Sequence, residues 1–138
     1  MGRVFFDTSV LVYLFDRAAP EKQARARELL DRHSRDGSLV LGTQVLQEFF
    51  VATTRRLSTP LGLSEALGIV RKLAVFPIVR VDPDLIVSAG ERTTREMVPF
   101  WDALIVEAAL AASATRLFSE DLQHGQTISS LIVENPFT

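Results

Sequence analysis

The chain has 138 residues, 47% hydrophobic and 23% charged, with a formal net charge of −2, enough for one domain over 1–138 with a proper core and too little for two. Zero Cys excludes disulfides, a thiol nucleophile and thiolate metal sites, and two His, His33 and His124, are too few for most zinc sites. The net charge by itself argues against a nucleic-acid binder, although neutralising four acids on a cation would turn the balance positive.

In chain order, Arg3-Val4-Phe5-Phe6 reads as a short buried strand ending at Asp7, with Thr8 and Ser9 able to cap a short apolar helix from Val10 to Phe15. Pro20 suits the first turn of an exposed helix that carries His33 and is closed by Gly37. Ser38 to Leu41 is a second strand, Thr43 opens a helix from Gln44 to Leu57, and Ser58 to Gly62 is a loop. A helix over Ser64 to Ala74 precedes a third strand, Pro77 to Val81, and Asp82-Pro83 starts a helix through Met97. Pro99 precedes the most apolar helix, Trp101 to Ala114. Arg116 to Ser119 is a fourth strand, Glu120 to Gln126 a polar loop, and Thr127 to Val133 a last edge strand.

Strands alternating with helices imply βαβ crossovers and a mostly parallel sheet covered on both faces. Ligands bind such sheets at the carboxyl ends of the strands, where Asp7 and Asp121 fall. The most apolar run, Ala103 to Ala112, is half of the ~20 residues a membrane span needs and contains Glu107. Asp7 interrupts the one signal-like run, so a cytoplasmic protein without a membrane partner is expected.

Four acids have a bland and a sharp reading. Asp7 in Asp7-Thr8-Ser9 is a helix cap or a carboxylate at the functional edge of the sheet. Glu48 lies on the border between the apolar face of its helix and a polar stripe. Asp102 falls on a helix that is apolar nearly all round, where a buried carboxylate must be paired or bind metal, but its first-turn position also allows capping. Asp121 lies in a polar loop. Glu107 points about 140° away from Asp102 and reads as a structural or interface acid. His33 reads as an exposed helix residue, and Arg55, Arg56 and His124 as surface residues or phosphate contacts. If the four acids meet in space, their repulsion calls for a cation. An oxygen-only site favours Mg²⁺ or Mn²⁺, and that chemistry is phosphodiester hydrolysis.

Phe5-Phe6-Asp7-Thr8-Ser9-Val10-Leu11-Val12-Tyr13-Leu14-Phe15-Asp16 resembles the opening of a PIN-domain protein. Gln47-Glu48-Phe49-Phe50, Phe100 to Val106, Leu117 to Gln126 and Val133 to Phe137 resemble its later blocks, in family order and over nearly the whole chain. Within the family the compact form is most similar to the VapC-type toxins of bacterial type II toxin–antitoxin pairs. The resemblance implies a PIN-like three-layer α/β/α sandwich and a Mg²⁺- or Mn²⁺-dependent endoribonuclease leaving 5′-phosphate and 3′-hydroxyl ends. It assigns metal binding and catalysis to Asp7, Glu48, Asp102 and Asp121, with Ser119 and Thr8 or Ser9 as polar supports. It also implies a homodimer inhibited by a cognate antitoxin. Ser119, Arg55, Arg56 and His124 are the candidates for contact with the RNA substrate, and Asp121 rather than Glu120 is taken to face the metal.

Two other readings compete. A silent PIN-like module would bind metal, RNA or protein without turnover. A phosphomonoesterase built on an Asp nucleophile would want a second Asp two residues later, where Ser9 stands.

Overall fold

The computed structural model describes residues 2–138. The elements are β1 (Arg3–Phe6), α1 (Thr8–Tyr13), α2 (Pro20–Arg35), β2 (Leu39–Gly42), α3 (Thr43–Arg55), α4 (Leu63–Leu73), β3 (Ile78–Val79), α5 (Pro83–Glu96), α6 (Phe100–Ala111), β4 (Ala114–Phe118), β5 (Thr127–Ile128) and β6 (Leu131–Glu134). They build a six-stranded sheet in the order β3-β2-β1-β4-β6-β5. Every pairing is parallel except the terminal β5–β6.

Successive residues of a strand point to opposite faces, and Val4, Phe5 and Phe6 of β1 are all buried. Helices therefore cover both faces of the sheet, which is the three-layer sandwich expected of consecutive apolar runs. The chain moves from β1 to β2 and β3 on one side, and returns to place β4 on the other side of β1. The strand order thus reverses between β1 and β4, and a crevice opens there at the carboxyl ends of both strands.

Most helix boundaries follow local chemistry. Pro20 and Pro83 occupy first turns, and Asp82 caps α5 by accepting a hydrogen bond from Leu85 N at 2.8 Å. Gly37, at φ +75°, supplies the left-handed turn after α2 that side chains resist. Four expectations are corrected. Of the three capping candidates Asp7 is the N-cap of α1, as one of its two readings has it, so Thr8 and Ser9 lie inside the helix, which starts at Thr8 instead of Val10. β3 shrinks to two residues, because Val81 N donates to Thr43 Oγ1 instead of to a neighbouring strand. The single edge strand expected over Thr127 to Val133 is a hairpin turning through Ser129, at φ 53°. It leaves β6 parallel to β4. His33, expected on an exposed face, is buried against the rings of Phe6 and Phe118, with its Nδ1 2.9 Å from Ser38 Oγ.

The α5–α6 pair contains one buried cation. Arg92 pairs with Glu96 on its own helix and, at 3.5 Å, with Glu107 on α6. That contact accounts for Glu107 as a structural acid. Taking Arg92 away strands the enclosed Glu107 carboxylate, so Arg92→Ala should lower unfolding stability by about 3 kcal/mol in urea denaturation, most of it regained in an Arg92→Leu/Glu107→Leu double variant.

Candidate active site

The reversal point holds a cleft of about 770 Å³, lined by Asp7, Glu48, Asp102 and Asp121 among others. Four elements deliver them. Asp7 ends β1 and starts α1, Glu48 projects from α3, Asp102 from the first turn of α6, and Asp121 from the loop after β4. The adjacency of β1 and β4 fixes the floor, where Asp7 N donates to Phe118 O at 2.9 Å.

Asp7 is buried, with both carboxylate oxygens engaged. Oδ1 accepts from Thr8 N at 2.7 Å and Oδ2 from Ser119 Oγ at 2.7 Å. It is thus both the cap and the carboxylate at the sheet edge; the two readings of its sequence position hold together. Ser119 Oγ also accepts from Asp121 N at 3.1 Å, so one hydroxyl sets both acids. Ser119 is itself fully buried. The substrate contact proposed for it from the sequence is closed off, and it acts through Asp7 and Asp121 instead.

Glu48 is oriented at both oxygens. Thr8 Oγ1 donates to Oε1 at 2.6 Å and Gln44 Nε2 to Oε2 at 3.3 Å. Gln44 Nε2 also reaches Trp101 O at 3.2 Å, which ties α3 to the turn carrying Asp102. Sequence reasoning missed Gln44; its signal was a polar residue one helical turn before Glu48 on the same side. Asp102 is half-buried. It cannot close a capping box, because its N-cap is Pro99, which has no N–H to receive it.

Glu120 lines the same cleft, but its carboxylate is held by other partners. Its carboxylate accepts from Tyr13 Oη at 2.6 Å and from Lys22 Nζ at 2.6 Å, and its backbone N–H donates to Ser9 Oγ at 3.2 Å. The ion pair and Tyr13 hold Glu120 below the usual carboxylate range against the pull of partial burial. Of the basic candidates, Arg56 lines the cleft, while Arg55 and His124 lie outside its lining. His124 Nδ1 accepts from Asn135 N at 2.9 Å and so fastens the loop to the end of β6.

Burial is the first cause that raises the Asp7 carboxyl, to about 6, against the lowering effect of Ser119 and Thr8, and the Asp121 and Glu48 charges add to the rise. Asp102 is raised by desolvation and then by Asp121 and Glu48. Asp121 reaches solvent yet is raised by partial desolvation and then by Glu120 and Glu48. The charges acting on these three are thus all carboxylates. As they stand, no three His, Asp or Glu side chains among the described residues are set to ligate one ion together. In kind, however, the donors fit a hard divalent cation, being oxygens only and mutually repelling.

The profile of the PIN domain matches residues 4–127, and the chain belongs to that family. No curated protein sequence matches it. Among solved structures, the chain is similar to Mycobacterium tuberculosis VapC20, a sarcin–ricin-loop-cleaving toxin, with TM-score 0.68 and 21% identity over 86% of this chain and 89% of that one. It is also similar to a toxin–antitoxin complex from Klebsiella pneumoniae, with TM-score 0.69 and 15% identity over 96% and 97% of the two chains. DNA-bound VapBC from Salmonella typhimurium gives TM-score 0.67 and 15% identity over 99% of each. Among the described residues, no helix is long and apolar enough to cross a membrane.

The raised Asp7 carboxyl has a measurable sign. Between its ordinary value of 3.8 and about 6, the folded metal-free protein keeps a proton that the unfolded chain has released. Stability relative to Asp7→Asn should therefore fall as pH rises through that window, by about 3 kcal/mol in total, and level off above it. Urea denaturation of both proteins in EDTA across the window reads the difference.

Proposed function

We propose that the protein is a metal-dependent endoribonuclease, the VapC-like toxin of a toxin–antitoxin pair. The observation that carries this reading is the convergence of Asp7, Glu48, Asp102 and Asp121, from four separate elements, on one cleft at the strand-reversal point. Family membership and the likeness to toxins of the VapC type support the same chemistry. The likeness to VapBC and toxin–antitoxin complexes supports a cognate antitoxin as partner. A homodimer and a cytoplasmic location belong to the same proposal.

Asp7, Asp102 and Asp121 would hold Mg²⁺ or Mn²⁺, with Glu48 completing the set. The bound ion supplies the positive charge that a scissile phosphate needs in an acidic cleft, and acidifies water. Glu48, fixed at both oxygens by Thr8 and Gln44, orients the attacking water and takes its proton. The water oxygen bonds to phosphorus as the bond from phosphorus to the 3′ oxygen breaks. The leaving oxygen takes a proton from solvent water while Glu48 returns its own to solvent, and the ends are a 5′-phosphate and a 3′-hydroxyl. Arg56, the one Lys or Arg lining the cleft among the described residues, is the phosphate contact the geometry supports. A phosphomonoesterase is less well served, because Ser9 stands two residues after Asp7 with its hydroxyl engaged by Glu120 N.

Cleavage of end-labelled total RNA by the antitoxin-free protein tests the reading. Discrete fragments with 5′-phosphate ends are expected with Mg²⁺ or Mn²⁺ and none in EDTA. Asp102→Asn and Asp121→Asn should lose at least a hundredfold in rate, whereas Glu120→Gln, already paired with Lys22 and Tyr13, should stay within about threefold. RNA retained intact by folded wild type under every divalent ion would favour a binding module without turnover.

A further inference from the structure

Trp101 is the only tryptophan of the chain, and it is 63% exposed on a helix that buries Ala103 through Val106. Isolated exposed apolar side chains are ordinary; what singles out Trp101 is its place. It lines the same cleft as the four carboxylates and immediately precedes Asp102. Its backbone is fixed there by Gln44, whose Nε2 joins Trp101 O to Glu48 Oε2. The ring meets Phe100 in a T-shaped contact at 5.2 Å. The indole is thus an exposed aromatic surface on a main chain anchored to the acidic cluster.

The charge of the cleft narrows the ligand. Nucleic-acid affinity ordinarily comes from Lys and Arg on phosphates, yet among the described residues Arg56 is the one basic side chain in this lining. Beyond Arg56 and the ion, this lining leaves the bases as the part of RNA to hold, and every base offers a π-face to an aromatic ring. Bases within an A-form helix are already stacked and are read poorly through its grooves, whereas looped or single-stranded bases are free to stack on protein. We propose that Trp101 is a nucleobase-stacking platform at the rim of the cleft, holding an unpaired base of the RNA beside the phosphate to be cut. The proposal rests on the ribonuclease reading and adds a selector for unpaired RNA.

Because Trp101 is the sole tryptophan, its emission reports on itself. In EDTA, short oligoadenylate and oligouridylate should quench it, and an abasic oligomer of equal length should not. On total RNA with Mn²⁺, Trp101→Ala should raise the apparent KM about tenfold or more with little change in kcat, and Trp101→Phe should recover most of the loss. Circular dichroism and the Phe variant guard against a folding defect. Equal quenching by the abasic oligomer, or an unchanged KM in Trp101→Ala, would overturn the proposal while leaving the nuclease standing. Emission indifferent to every oligomer but shifted by the cognate antitoxin would overturn it in favour of a protein contact. Loss of the ribonuclease reading looks different, since wild type itself would then leave the RNA uncut.

Discussion

The hydrogen bond from Ser119 Oγ to Asp7 Oδ2 is the contact on which the rest of the site depends. Burying a carboxylate is costly unless its oxygens are satisfied. Thr8 N satisfies Asp7 Oδ1 locally, but Oδ2 is satisfied because β4 runs parallel beside β1 and delivers Ser119 to it. The same hydroxyl accepts from Asp121 N and so starts the loop in the direction that brings the next acid to the cleft. Sheet topology and site geometry are one constraint: without the strand reversal between β1 and β4, neither Asp7 nor Asp121 has Ser119 beside it.

The loop after β4 carries two adjacent acids with opposite tasks. Glu120 is neutralised by Lys22 and Tyr13, and Phe137 packs edge-on against the Tyr13 ring at 4.8 Å. One carboxylate thereby joins α1, α2 and the chain's last residues. Asp121 has no such cation among the described residues, and partial desolvation, followed by the Glu120 and Glu48 charges, pushes its carboxyl up. Local pairing, rather than residue type, separates the structural acid from the one left for chemistry. Arg92 and Glu107 repeat the pattern away from the cleft.

Much of this was legible in the sequence. Continuous apolar strands, proline first turns and the Gly37 stop each specify their element through local chemistry, and the α/β alternation specifies the parallel sheet. The hairpin at Ser129 was not legible, since Thr127 to Val133 carries no Asn-Gly or Asp-Gly turn signal to split it. His33 reads as exposed from its charged neighbours Arg32 and Arg35, which are exposed, but the helix turns its imidazole onto Phe6 and Phe118. The four acids are visible as candidates, and Ser119 as a polar support or RNA contact, but nothing local marks Ser119 as buried. Its burial follows from β6 pairing on the far side of β4, a long-range fact that no local pattern contains. Gln44 was hidden for the same reason, since its partner Trp101 O lies 57 residues away.

The central claim is that Asp7, Glu48, Asp102 and Asp121 form one electrostatically coupled cluster that a divalent cation completes. Melting temperature in Mn²⁺ against EDTA, above the titration range of Asp7, tests it most directly. A ligand that binds only the folded state raises its stability with concentration, so wild type should melt several degrees higher with the ion, and Asp7→Asn and Asp102→Asn should not. An unchanged wild-type transition, or an equal rise in both variants, would contradict the account.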